Sequence, residues 1–148
     1  MNKLELKQMI KECYKYILKE ENAPTYIFSF NISDDMIDFT IPKSIQNDPK
    51  VKRTINEFSK WYTPTEFTDY DDFDELEVEG KFDEVLDAIK IALLPKVKQI
   101  LGNDVILKNF YDIVGEIQIR GTGQPNDTQI SAMYRLLNGA EGIEFEQK

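Results

Sequence analysis

The chain has 148 residues, 27 of them acidic and 18 basic, for a formal net charge of −9, and 41% are apolar; a chain of this size buries roughly 68–70% of the surface its unfolded form exposes, which excludes global disorder. Histidine is absent and cysteine occurs once, at Cys13, which excludes serine-histidine and cysteine-histidine catalysis, histidine-bearing zinc or haem sites and an internal disulfide. The charge excess is local: Glu66 to Asp87 hold eleven acidic residues and one basic, against nine and ten before them and seven of each after, a distribution that suits a cation or basic partner and disfavours duplex DNA and anionic lipid.

Residues 3–21 read as an amphipathic helix. Leu6, Ile10, Cys13 and Ile17 recur at helical spacing, while lysines 3, 7, 11, 15 and 19 wind across the opposite side. The apolar stripe is a candidate homo-oligomer contact, and Cys13 within it reads as a small buried thiol. Glu5, Lys7, Lys11 and Glu12 interrupt any signal-peptide-like run, and the longest strictly apolar stretch is Ile91-Ala92-Leu93-Leu94, far short of the roughly 18 residues of a membrane span. A cytoplasmic setting is therefore expected.

After Pro24, Tyr26, Phe28, Phe30 and Ile32 alternate along a strand, and Met36 to Ile41 is expected to return as its hairpin partner through Ser33-Asp34-Asp35. Asp48 caps a helix with Pro49 at its first position and Val51, Ile55, Phe58 and Tyr62 along one face. Glu75-Leu76-Glu77-Val78-Glu79 alternates strictly and reads as a half-exposed strand with three carboxylates on one face, about 6.6 Å apart. Phe82, Val85, Leu86, Ile89 and Leu93 restore helical spacing, with Pro95 expected to end or kink the helix before a last segment capped by Gly102. Residues 103–114 stay ambiguous between helix and strand. Glu116 to Arg120 alternate like a strand, Asn126 or Asp127 caps a helix running to Asn138-Gly139, and Ile143 to Glu146 add a short final strand. Together these elements predict one α+β domain over residues 1–148, a mostly antiparallel sheet covered on one face by helices.

Leu6-Lys7-Gln8-Met9-Ile10-Lys11-Glu12, continuing through Ile17-Leu18-Lys19-Glu20, resembles the short amphipathic opening helix of many small proteins encoded by tailed phages. The resemblance covers about the first twenty residues and implies a phage-type setting, as a virion or assembly component or as a host-directed factor. It carries no catalytic residue.

The candidate functional segment is the acidic-aromatic stretch 61–87, where Trp61, Tyr62, Phe67, Tyr70, Phe73 and Phe82 interleave with carboxylates. Rings supply apolar area and cation-attracting faces, and acids steer a lysine- or arginine-rich surface into place. The expected partner-binding residues are Trp61, Tyr62, Glu66, Asp69, Tyr70, Asp71, Asp72, Asp74, Glu75, Glu77 and Glu79, meeting a basic protein surface. The rival reading makes Tyr70, Phe73 and Phe82 core and leaves the acids to clothe a loop and an outer strand face. The strand spacing of Glu75, Glu77 and Glu79 also resembles phosphate spacing and raises mimicry of DNA.

Three catalytic or ligand readings compete and each is incomplete. Starting a calcium loop at Asp69 puts Phe73 at its fifth place and Asp74 where glycine is required. Asp74, Glu79 and Lys81 suit a magnesium-dependent phosphodiesterase or nuclease, which needs no histidine, but the pattern is no commoner than composition predicts and the local charge would repel a nucleic acid. Gly121-Thr122-Gly123 sits where a phosphate loop could lie, yet Asn126 stands where a third glycine is wanted. No catalytic residue, metal ligand or cofactor is assigned, and a non-catalytic interaction protein, an inhibitor or assembly component, is the expected function.

Overall fold

The computed structural model describes residues 24–33, 35–110 and 115–148. The expected helix 3–21, with Leu6, Ile10, Cys13 and Ile17, lies outside the described residues, as do residues 111–114 of the ambiguous stretch.

Strand β1, Thr25–Asn31, is the middle of the fold. Tyr26, Phe28 and Phe30 point to one side and are buried, and Ile32 continues the series, while Ile27 and Ser29 on the other side stay half-buried. That is the period of two expected of a strand with one face on a core. Its expected hairpin partner does not form. Ser33 Oγ accepts from Met36 N at 2.8 Å, and Asp35 Oδ1 accepts from Ile37 N and Asp38 N at 2.9 and 3.0 Å. These short polar side chains offer the backbone a turn instead of a ladder, and Met36 sits at φ 63°. Thr40 N returns to the residue after β1, donating to Ile32 O at 2.8 Å.

Both flanks of β1 are taken by strands distant in sequence. Within the ambiguous stretch residues 106–110 form strand β2, Ile106–Phe110, while β3 spans Glu116–Thr122 and β4 spans Glu141–Gln147. The sheet order is β2-β3-β1-β4 and every neighbouring pair is antiparallel, with Phe28 opposite Ile119 on one side and Phe145 on the other.

Helix α1, Pro49–Trp61, begins as its sequence requires: Asp48 accepts from Lys50 N and Val51 N, both at 3.0 Å, and Pro49 needs no donor partner. It buries Val51 and Phe58. Helix α2, Glu75–Leu101, is 27 residues, about 40 Å at 1.5 Å per residue. It absorbs the segment Glu75–Glu79 that alternation assigned to a strand. Asp74 caps its start, and Val78, Phe82, Val85, Leu86, Ile89, Leu93 and Val97 form one continuous buried stripe. Five alternating residues cannot outweigh that longer period of 3.6. Pro95 does not end the helix, which runs on to Gly102 at φ 97°. Pro95 is solvent-exposed while Leu93 and Val97 on either side are buried, so burial offsets a proline cost of about 3 kcal/mol. Helix α3, Asp127–Leu137, is capped by Asn126 in a reciprocal box with Gln129 and buries Met133 and Leu137.

The helices thus supply Phe58, Phe82, Leu86, Ile89, Leu93, Met133 and Leu137 to one core with the buried sheet face of Phe28, Phe30, Ile117 and Ile119. The chain is α+β, with an antiparallel four-stranded sheet. Among the described residues no helix is long and apolar enough to cross a membrane.

Candidate functional site

The 13 residues between α1 and α2, 62–74, are held by two kinds of contact. The first is a run of rings. Trp61 and Tyr62 at the end of α1 each meet Phe73 at 5.0 Å between centroids, Tyr62 meets Tyr70 at 4.9 Å, and Phe58 links Tyr62 at 5.5 Å to Phe82 in the core at 5.6 Å. Rings at these separations and tilts attract beyond their burial, so the loop is stapled to the core through its aromatics. Burial beside Tyr70 and Asp71 raises the Tyr62 phenol above its ordinary range, desolvation being the larger cause. The Lys81 ammonium lies 4.9 Å from the centre of the Trp61 ring, a cation-π contact within the chain.

The second kind is carboxylate to backbone. Asp69 Oδ1 accepts from Asp71 N at 2.9 Å, and Asp72 Oδ2 accepts from Asp69 N at 2.7 Å. Asp74 Oδ1 accepts from Leu76 N at 2.9 Å and Glu77 N at 3.2 Å. Three of the acids expected to face a partner are therefore satisfying orphan N–H groups at the starts of a short 3-10 turn, Tyr70–Asp72, and of α2.

The eleven expected site residues divide accordingly. Trp61 and Tyr62 are half-buried members of the ring cluster, and Asp69, Asp72 and Asp74 are caps, though exposed. Tyr70 keeps one edge in solvent. Glu66, Asp71, Glu75 and Glu77 are exposed, and Glu79 is half-buried; none of these five carboxylates has an ion-pair or hydrogen-bond partner among the described residues. Glu75, Glu77 and Glu79 do not form a row. At about 100° per residue, Glu75 and Glu79 share a flank of α2 while Glu77 lies roughly 200° from Glu75. The phosphate-like spacing that raised DNA mimicry is thereby lost.

Two apolar side chains join this surface. Phe67 is 92% exposed and Leu76 is 79% exposed. Phe67 stands in a turn closed by Thr65 N to Thr68 O at 3.0 Å and by the paired Thr65 and Thr68 hydroxyls at 2.7 Å. A large ring held out by a hydrogen-bonded turn is the opposite of the scattered exposed apolar atoms every protein carries. The strand reading of Glu75–Glu79 turns Leu76 to the face opposite the carboxylates; the first turn of α2 puts it in solvent beside them. Asp74-Glu75-Leu76-Glu77 ahead of Val78 and Phe82 carries an acid three residues before a glutamate at the edge of an apolar run, a helix-start signature that would have revealed this.

The competing chemistries do not assemble. Among the described residues no group of three or more metal-ligating side chains converges, Asp74 is engaged as a cap, and Lys81 lies over Trp61. Gly121 is part of β3 directly opposite Tyr26, where any side chain would collide with the Tyr26 ring, and Gly123 N donates to Pro24 O at 2.7 Å. That loop is a strand connection whose amide is already engaged, not a phosphate cradle.

Comparison of the chain with family models, curated proteins and solved structures finds no match. The fold and surface define an α+β protein with an acidic, aromatic-stapled loop bearing two protruding apolar side chains.

Proposed function

We propose that the protein is a non-catalytic interaction protein that docks a basic protein surface through loop 62–74 and the first turns of α2. The observation that carries this reading is Phe67, held almost fully in solvent by a hydrogen-bonded turn inside the most acidic part of the chain. Phe67 and Leu76 act as apolar anchors for a pocket on the partner, while Glu66, Asp71, Glu75 and Glu77 steer and orient the encounter. Trp61, Tyr62, Phe73, Asp69, Asp72 and Asp74 hold the platform. The phage-type resemblance of residues 6–20 makes a virion or host protein the partner, met in the host cytoplasm.

The test is quantitative capture from a lysate with immobilised wild type, the Phe67→Ser/Leu76→Ser variant and the Glu75→Lys/Glu77→Lys variant. The expected result is a basic protein retained by wild type at low salt, shed as salt rises, and lost by both variants. Loss of one anchor at the centre of such an interface costs about 2 kcal/mol, or ~30-fold in Kd. An identical set of captured proteins on all three supports would refute the proposal.

A further inference from the structure

The two outer strands of the sheet, among the described residues, differ in charge and run in opposite directions. Among the described residues β2 pairs only with β3 and β4 only with β1, so β2 and the Ile143–Gln147 stretch of β4 each present an outer edge with no strand on it. Edge strands of this kind are templates for another strand. On β4 the exposed side chains include Glu141, Glu144 and Glu146; on β2 the exposed charge is Lys108, which has no ion-pair partner among the described residues. Beside β2 a groove of about 430 Å³ opens against α2, lined by Ile91, Leu94 and residues 105–107 and by the charged Asp87, Lys90 and Lys98. Ile91 is 58% exposed and Ile106 is 52% exposed.

We propose that the protein assembles with itself head to tail, β4 of one copy adding to β2 of the next. Three features point to a second copy as the occupant of this edge. First, the order β2-β3-β1-β4 with antiparallel neighbours makes β2 and β4 antiparallel to each other. A copy displaced along the sheet without being turned over therefore presents β4 in the antiparallel sense to β2 and keeps its helices on the same side. Second, the faces match. Phe145 lies opposite Phe28 on the helix side, and Glu144 and Glu146 lie opposite Ser29 and Ile27 on the open side. In the joined sheet Ile143 and Phe145 of the next copy fall on the side of Leu107 and the groove, and its Glu144 and Glu146 fall on the side of Lys108. Third, the charges discriminate. Joining two β4 edges brings glutamates against glutamates, while β4 against β2 brings them to Lys108, and cross-strand pairs reward the second and oppose the first. Because the two surfaces differ, the contact is heterologous and propagates unless the sheet twist closes a ring.

The experiment is sedimentation velocity on the full chain over a wide concentration range at low salt, for wild type, Lys108→Glu, Glu144→Lys and the double variant in one chain, with circular dichroism confirming each fold. Lys108 and Glu144 are both exposed, so their reversal leaves the core untouched. Wild type is expected to gain mass continuously with concentration. Each single reversal should weaken association at least ~10-fold, the equivalent of ~1.4 kcal/mol, and the double variant should restore it. A wild type that stays monomeric, a dimer or larger species that persists unchanged in both single variants, or folded single variants whose loss the double variant does not repair would each overturn the proposal. Assembly of Phe67→Ser is expected to match wild type, which separates this surface from the partner-docking loop.

Discussion

The sharpest division in this surface is between acids that hold the backbone and acids that face solvent, and it can be tested by changing one charge at a time. Asp74 accepts two N–H groups at the start of α2; Asp71, three residues earlier, accepts none and is exposed. Replacing Asp74 by Ala removes an N-cap, costing about 1 kcal/mol, and also removes a negative charge from the positive end of the helix dipole, costing a further ~0.5 kcal/mol. The combined ~1.5 kcal/mol should lower Tm by ~3–6 °C, at ~2–4 °C per kcal/mol for a domain of this size. Asp71→Ala deletes the same charge from the same loop and should stay within about 0.5 kcal/mol of wild type. Asp74→Asn keeps the cap and gives up only the charge, so it should fall between them. Urea denaturation monitored by far-ultraviolet circular dichroism, with m compared across the variants, measures all three. Equal losses for Asp71→Ala and Asp74→Ala, or none for either, would refute the assignment of Asp74 as the residue that starts α2. Partner binding sorts the other way, since Glu77→Lys, also in the first turn, should weaken it strongly and Asp74→Asn only slightly.

Two further outcomes follow from particular contacts. Asp83 is partly buried and beside Asp87, and both effects raise its carboxyl above the ordinary range, desolvation first, against the lowering effect of Asn109 and Lys90. A group whose folded pKa exceeds its unfolded one contributes stability below the unfolded value, and that contribution is lost as pH rises through the folded one. Asp83→Asn should therefore raise Tm at neutral pH, and the gain should vanish as pH falls below the usual carboxylate range; an equal gain at both ends, read by thermal scans across pH, would count against it. Gly121→Ala places a methyl group against the Tyr26 ring on the neighbouring strand and should destabilise the fold by about 1–3 kcal/mol, whereas a neutral result in urea denaturation would mean that the ring can yield.

Much of the fold was legible because its signals are local. The caps at Asp48 and Asn126, the proline at the first position of α1, the alternation of β1 and β3 and the short final strand each follow from neighbouring residues, and the α+β class follows from their order. The errors fell where local signals competed. Glu75–Glu79 satisfies a strand period over five residues, and only the apolar series from Val78 to Val97 packed on the sheet makes it a helix. Met36–Ile41 has strand composition, but Ser33 and Asp35 divert its backbone and both flanks of β1 are filled by strands from the far end of the chain.

By itself the sequence determined the excluded chemistries, the concentration of charge between Glu66 and Asp87, and the segments able to bury an apolar face. Those are properties of residue type and short-range period, which hold before any long-range contact forms. Tertiary structure alone decided which strands meet, and that Phe67 stands outside while Trp61 and Phe73 turn inward. A ring has the same identity in either role. Its role is set by the packing partners that the closed fold brings to it.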